Sequence, residues 1–356
     1  MALSLVTGFP GFIGRRLVAA LLAQDPETTV VALVEESMLD TARDVATAID
    51  PERIELLAGD IATRGLGLQD SDLERLAADV RRVYHLAAIY NLSVALEVAQ
   101  RINVDGTGNV LELCLAAENL ERLVYVSTAY VAGWRKGVVY EHELVMGQDF
   151  KNHYESTKFQ AEVWVRGLLD RIPTTVLRPA IVVGDSQTGE TDKFDGPYYL
   201  LRAMSRANAL GSGLPQFARD DAPFNVVPVD YVVAATLAAA GDPATLGQTL
   251  HLVDTDPLSA GGLVHLLSHQ YAGRAPWGRL PPAVVEASLR VGKLRDLMGG
   301  APPESIVYLN HRVTYDTRRA VDLLAPHGLA PPKFTDYVGP MVRFFAAHEH
   351  DPQLRR

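Results

Sequence analysis

"LSLVTGFPGFIGRRLVAALLAQ", residues 3–24, decides how the rest of the chain is read. A short apolar run ends at Thr7, glycines follow at Gly8, Gly11 and Gly14, and residues 12–24 then carry Ile13, Leu17, Ala20 and Leu21 at helical spacing. That order predicts strand, tight turn and amphipathic helix. Such a turn lets backbone approach a pyrophosphate, while the unpaired amides and dipole at the helix start hold its charge. The spacing is GxxGxxG rather than GxGxxG, so by itself the stretch also fits plain turn chemistry. Pro10 removes one amide and extends Phe9, which leaves Phe12 and Ile13 as the expected phosphate donors.

Working outward, apolar runs alternate with helical periodicity over about the first 180 residues. Strands are expected at 3–7, 30–34, 54–58, 83–86, 123–127 and 175–177, and helices at 12–24, 39–49, 71–79, 92–118 and 152–170. Alternation of this kind predicts an α/β fold, a Rossmann-type doubly wound parallel sheet with helices on both faces. Residues 184–198 are polar and glycine-rich, whereas 225–240 and 248–254 read as a further strand, helix and strand. Prolines become dense after residue 256, at Pro281-Pro282, Pro302-Pro303 and Pro331-Pro332. The expected organisation is a dinucleotide-binding domain over 1–255, with a substrate-loop insertion near 184–224, and a smaller substrate-binding lobe over 256–356.

Ligands of such sheets bind at the carboxyl ends of the strands, so the residues there are candidates. "GDI" brings Asp60 and Ile61 to the end of the third strand, where an acid and an apolar residue can flank an adenine. "HLAA" brings the small Ala87 and Ala88 to the end of the fourth. The second strand runs into Glu35, which can accept bonds from both ribose hydroxyls and repel a 2′-phosphate. That favours NAD(H) over NADP(H), against the pull of Arg15, Arg16 and Arg43 toward a phosphate. "YESTK" sets Tyr154 and Lys158 four apart on one helix face, where an ammonium favours the phenolate. The fifth strand ends at Ser127 and Thr128, either of which can hydrogen-bond a substrate carbonyl.

Composition narrows the class. The 356 residues are 48% hydrophobic, with a formal charge of −10 and no dense basic block, which argues against nucleic acid and anionic membranes as partners. The longest uncharged apolar stretch, 231–240, is too short to span a bilayer. Residues 3–7, as a core strand, leave nothing ahead of them for a leader to be cleaved from, so a cytoplasmic protein is expected. Cys114, the single cysteine, reads as a small buried residue, and the ten histidines show no metal-ligand spacing. His348-Glu349-His350 reads as a solvated end, and Tyr198 and Tyr199 either as a substrate entrance or as packing between lobes.

Together "VTGFPGFIG", "GDI", "HLAA", "NVDGTGNVLELC", "LVYVSTAYVAG", "YESTK" and "LRPAIVVGD" resemble, in order, the extended short-chain dehydrogenase/reductase family. "RPAIVVGDSQTG", "NVVPVDYVV" and "HRVTYDTRRAVDLL" resemble its fatty acyl-CoA reductase and carrier-protein thioester reductase branch more narrowly. The resemblance implies a Thr128-Tyr154-Lys158 triad, with Asn103 supporting the proton relay or fixing the active-site helix, and Ser127 and Pro179 beside the cofactor. It implies hydride transfer to or from a carbonyl, alcohol or acyl thioester of an apolar, lipid-like substrate, possibly one carried on CoA or a carrier protein, by a monomer or homodimer. That branch usually carries Arg where this chain has Glu35, and it uses NADPH. A sugar-nucleotide epimerase on the same fold is the alternative; a dehydratase is disfavoured because Ala129 and Tyr130, not an acidic pair, follow the hydroxyl.

Overall fold

Seven of the apolar runs pair into one parallel sheet: β1 (Ala2–Thr7), β2 (Thr28–Val34), β3 (Ile54–Ala58), β4 (Val80–His85), β5 (Arg122–Val126), β6 (Thr174–Pro179) and β7 (Thr249–Leu252). Their order is β7-β6-β5-β4-β1-β2-β3, every pair parallel. The computed structural model describes residues 2–91, 93–292, 295, 300–302 and 305–355. Expectations touching residues 1 and 356, the helix start at Leu92 and Pro303 lie outside the described residues.

Side-chain alternation divides the sheet between two cores. Val6, Val30, Ala32 and Val34 face one, filled by helices Phe12–Gln24, Leu39–Ile49, Val229–Gly241 and Arg318–Leu324. Leu5, Val31 and Leu33 face the other, under helices Asp70–Asp79, Gly106–Ala116 and His153–Arg166. Burial on both faces explains why β1 and β2 are nearly continuous apolar runs. A third core joins residues of 183–226 to residues of 260–345, around helices Tyr198–Ala209, Ala260–Ala272 and Phe334–His348.

Several expected boundaries shift. β4 starts at Val80 rather than Val83, because the chain already runs beside β1 there, with Leu3 opposite Val80. The single helix expected over 92–118 is a turn at Leu96–Ala99, a wider-wound π segment at Gln100–Asp105 and an α-helix at Gly106–Ala116. The helix expected over 152–170 ends at Arg166, and Asn152 caps its start by accepting from the Glu155 amide at 3.0 Å. Helix Tyr198–Ala209 was not expected at all. The strand expected after 225 is Val226–Pro228, which pairs with Ile181–Val183 outside the main sheet.

Strand order reverses between β1 and β4, so the loops leaving their carboxyl ends part and open a crevice.

Candidate active site

The glycine turn is folded tightly against the end of β4. Gly8 has φ +91°, and a Cβ there would lie 2.9 Å from the Ala87 nitrogen. A Cβ on Gly11 would lie 2.8 Å from the Gly8 carbonyl oxygen, and one on Gly14 would clash with that same oxygen. The three glycines are therefore required by the turn's own geometry. The Gly11 amide closes the turn onto the Gly8 carbonyl at 3.0 Å. Phe12, Ile13 and Gly14 open the helix, where amides have no intrahelical acceptor, and all three residues line the crevice.

From this turn a cleft of about 840 Å³ runs along the strand ends. Gly8, Gly11, Phe12, Ile13, Gly14, Ala87, Ala88, Ser127, Thr128, Tyr154, Lys158 and Pro179 all line it, so the structure brings together most of the residues singled out in the sequence. A bare glycine cradle at a helix start, joined to a groove floored by alanines, fits a flat dinucleotide. Glu35, Asp60, Ile61 and Asn103 lie outside its walls. Glu35 is exposed just beyond β2 and accepts a bond from the Ser37 hydroxyl at 3.2 Å. It leaves the sheet at the edge where Gly8 turns, since Leu33 pairs with Thr7. Asp60 closes its own loop, accepting from the Ala62 amide at 2.8 Å and the Thr63 hydroxyl at 3.2 Å. Ile61 packs on Gly106, whose missing side chain makes room for it.

Tyr154 and Lys158 do share a helix face, but not the expected electrostatics. Burial is the main cause that pushes the Tyr154 phenol up to about 12, partly offset by hydrogen bonding with Thr128. Burial also drives the Lys158 ammonium down to about 7, against the pull of Glu162. The protein by itself thus holds both groups toward their neutral forms, because neither has a close, unshared counter-charge. Lys158 Nζ donates to the Val126 carbonyl at 2.9 Å and lies 4.4 Å from the Tyr125 ring centroid.

Between the two strand-end hydroxyls the structure draws a contrast. Ser127 donates at 2.5 Å to Glu162, which is paired with Arg178; both partners are fully buried. Thr128 accepts from the Tyr130 amide at 3.2 Å, its hydroxyl lies 3.5 Å from the Pro179 carbonyl, and it is the hydroxyl whose nearness favours the charged form of Tyr154. Arg178 is further tied to the Glu143 carbonyl at 2.9 Å, so charges and lone pairs in this knot are satisfied. Asn103, buried, spans from Ile89 to Thr157 and so fastens the loop after β4 to the Tyr154 helix.

Other residues were not legible as part of this site. Tyr308, in the cleft wall, donates to Glu155 at 2.7 Å and accepts from the Asn152 amide nitrogen at 2.7 Å. Glu155 is fully buried and 3.3 Å from Lys151. Only the position of Glu155 next to Tyr154 could have signalled this cluster; its partner lies 153 residues away. Arg15 and Arg16, considered for a 2′-phosphate, are instead tied to Glu190 and Asp192, with Arg15–Glu190 at 3.1 Å and Arg16–Glu190 at 2.8 Å. Arg43 pairs with Asp40 at 2.6 Å. The tyrosine pair divides: Tyr199 lines the cleft, whereas Tyr198 is core and accepts from the Gly184 amide at 3.1 Å. Glu349 is not simply solvated, since it accepts from Tyr271 at 2.8 Å. Cys114 is buried and its thiol is pushed up to about 12 by burial. Among the described residues there is no cluster able to hold a metal ion and no helix long and apolar enough to cross a membrane.

A family model described as "Male sterility protein", of the NAD-binding type, matches residues 6–236, from inside β1 to inside helix Val229–Gly241. The chain belongs to that family. It is an extended short-chain dehydrogenase/reductase of the fatty acyl-CoA reductase-like branch, and its cofactor is NAD(P)(H). The fatty acyl-CoA reductase wat of Drosophila melanogaster is 28% identical over 67% of this chain and 54% of its own length. The aldehyde reductase lnaA of Aspergillus flavus is 30% identical over 70% of this chain and 25% of its own. The chain thus spans about half or less of the length of these curated relatives. In fold it is similar to the terminal R domain from the myxalamid PKS-NRPS biosynthetic pathway, with TM-score 0.80, 24% identity and coverage of 100% of this chain and 93% of that one. It is also similar in fold to UDP-glucuronic acid 4-epimerase from Bacillus cereus, with TM-score 0.67, 20% identity and coverage of 98% and 99%.

Proposed function

We propose that this protein is an NAD(P)H-dependent reductase of acyl thioesters or aldehydes carrying an apolar chain. The observation that carries the reading is the single cleft in which the glycine turn, Thr128, Tyr154 and Lys158 meet, and which continues into an apolar wall of Leu200, Leu214, Phe217, Phe224 and Leu309. Residues 256–356 and the insertion near 184–224 serve as the substrate lobe. Relatives named as fatty acyl-CoA and aldehyde reductases support the substrate class.

In this reading Phe12 and Ile13 amides hold the pyrophosphate, Ala87 and Ala88 floor the groove, and Pro179 and Lys158 flank the nicotinamide end. The bound dinucleotide supplies a hydride to the carbonyl carbon. Thr128 donates to the carbonyl oxygen and holds it against Tyr154, whose phenol protonates it as charge develops. Lys158, sealed under the strand ends, favours the phenolate left behind when it carries its proton. Asn103 keeps the helix carrying both groups in register with the loop after β4. The epimerase reading is the weaker one, because an apolar wall offers a sugar nucleotide few hydrogen-bond partners.

The test is nicotinamide absorbance with NADH and NADPH against acyl-CoAs, aldehydes, ketones and secondary alcohols of several chain lengths. Oxidation of the reduced cofactor by acyl-CoA or long-chain aldehyde is expected. Turnover restricted to UDP-sugars, without net change in cofactor, would overturn the reading.

A further inference from the structure

The lobe end of the cleft is basic, although the chain carries −10 overall. Lys193, Arg202, Arg295 and Arg355 line it, with Asp192 and Asp195 as the only acidic residues among the described lining. Asp192 is already bound by Arg15, and Asp195 is half-buried, its carboxyl pushed up by desolvation against the pull of Lys193. Arg202 has no carboxylate partner among the described residues, and neither has Arg355. Arg202 is held in place from the other side, with its guanidinium carbon 5.8 Å from the Tyr199 ring centroid and one nitrogen packed on Gly300. Arg206, one turn further along the same helix, buries a guanidinium nitrogen without a partner among the described residues. Arg355 is brought to this rim because the Phe194 amide donates to the Leu354 carbonyl at 2.7 Å, and its own Nε donates to the Glu349 carbonyl at 2.6 Å. Burial is the main cause that disfavours the charge on Arg202, and the nearby Arg206 and Arg355 add to it. Like charges gathered on a cleft wall, with Asp192 and Asp195 the only acids among its described residues, are stabilised by a multivalent anion, and guanidinium forks match phosphate oxygens.

The geometry points to a phosphate-binding subsite formed by Arg202 and Arg355, which takes the phosphate of a phosphopantetheine-type handle while the thioester reaches Tyr154 and the acyl chain fills the apolar wall. This rests on the thioester reading of the preceding section. A handle of this kind carries its phosphate at the end remote from the sulfur, and one cleft is lined both by Thr128, Tyr154 and Lys158 and by Arg202 and Arg355. The shared chemistry is the phosphate; CoA and a carrier-borne arm are its two sources.

The experiment compares one acyl group presented as its CoA thioester, its 4′-phosphopantetheine thioester and its pantetheine thioester, with the matching free aldehyde as control. The expected result is a KM at least about tenfold lower for a phosphorylated thioester than for the pantetheine thioester, since charge-assisted hydrogen bonds to phosphate are worth at least that factor. Equal gain for CoA and phosphopantetheine puts the contact on the phosphate they share and supports the subsite; gain for CoA alone would put it on the nucleotide phosphates and overturn it. Arg202→Ala and the exposed Arg355→Ala should each bring the ratio of the two KM values toward one. Equal KM values in the unaltered protein, or variants that leave a tenfold ratio intact, would overturn the subsite. Reduction of the aldehyde with no thioester turned over would instead overturn the thioester reading, and so separates the two failures.

Discussion

Asn103 Nδ2 donates to the Thr157 hydroxyl at 3.0 Å, while the same amide group accepts from the Ile89 nitrogen at 2.9 Å and donates to its oxygen at 3.1 Å. One buried side chain thus pins the loop that follows Ala87-Ala88 to the helix of Tyr154. Asn103→Ala leaves the Ile89 amide and carbonyl unpaired in a dry site, at a cost of roughly 1–3 kcal/mol. The expected outcome is a lowered melting temperature together with a fall in kcat larger than any rise in KM. Unchanged kcat in a correctly folded variant would remove the positioning role.

Tyr154→Phe keeps the ring and its packing but removes the only proton the phenol can give. Turnover should fall by about two to four orders of magnitude, the range expected for loss of a general acid. Binding of NADH or NADPH, followed by nicotinamide fluorescence, should change little. Retained turnover would show that another group protonates the substrate.

Glu35, followed directly by Glu36, is the first acid at the edge where β2 leaves the sheet beside the glycine turn, and Arg15 and Arg16 are engaged with Glu190 and Asp192. With those arginines committed, we propose that Glu35 sets a negative charge toward the adenosine ribose and so favours NADH. Glu35→Arg should shift the ratio of kcat/KM values toward NADPH by about tenfold or more, the equivalent of about 1.4 kcal/mol. An unmoved ratio would place Glu35 away from the ribose.

Most of this architecture was legible because it rests on local signals. Leu5, Val6 and the glycines that follow encode a strand and a turn within ten residues, and each later strand repeats the apolar run. The shared face of Tyr154 and Lys158 follows from helical spacing alone. What could not be read depends on partners distant in sequence. The π segment at Gln100–Asp105 answers to packing against the Tyr154 helix. Arg15 gives no sign of its engagement with Asp192, 177 residues later. Nor did a favourable spacing reveal that burial holds both Tyr154 and Lys158 toward their neutral forms, since desolvation is a property of the assembled cleft.

Tyr308 and Glu155 provide a second coupling. The phenol donates to a carboxylate that is fully buried, and Lys151, 3.3 Å away, is its nearest opposite charge. Tyr308→Phe should cost about 1–3 kcal/mol by leaving that carboxylate short of a donor. Adding Glu155→Gln should cost less in the Tyr308→Phe background than in the unaltered protein, because the stranded charge is then gone. Additive losses in urea unfolding would show that the two groups do not interact.

His85 makes the fold sensitive to acid. Its Nδ1 meets the Thr7 hydroxyl at 2.7 Å and its Nε2 the Thr107 hydroxyl at 3.1 Å, and burial, with the Lys158 charge as a lesser cause, lowers its pKa to about 3. Above the unfolded value of about 6.5 the ring is neutral in both states and its packing stabilises the fold in full. Between about pH 6.5 and pH 3 the unfolded chain takes up a proton that the folded chain refuses, so this contribution falls by about 1.4 kcal/mol per pH unit. Replacing the ring isolates the effect from His251, which is depressed to about 3 as well, and from Glu141 and Glu155, whose raised values act in the opposite direction. His85→Asn should therefore be destabilised near neutrality through its lost hydrogen bonds, and the gap to the unaltered protein should narrow by about 2 kcal/mol by about pH 5. Unfolding free energies from denaturant titration at the two pH values check this. A gap independent of pH would mean that His85 is protonated inside the fold.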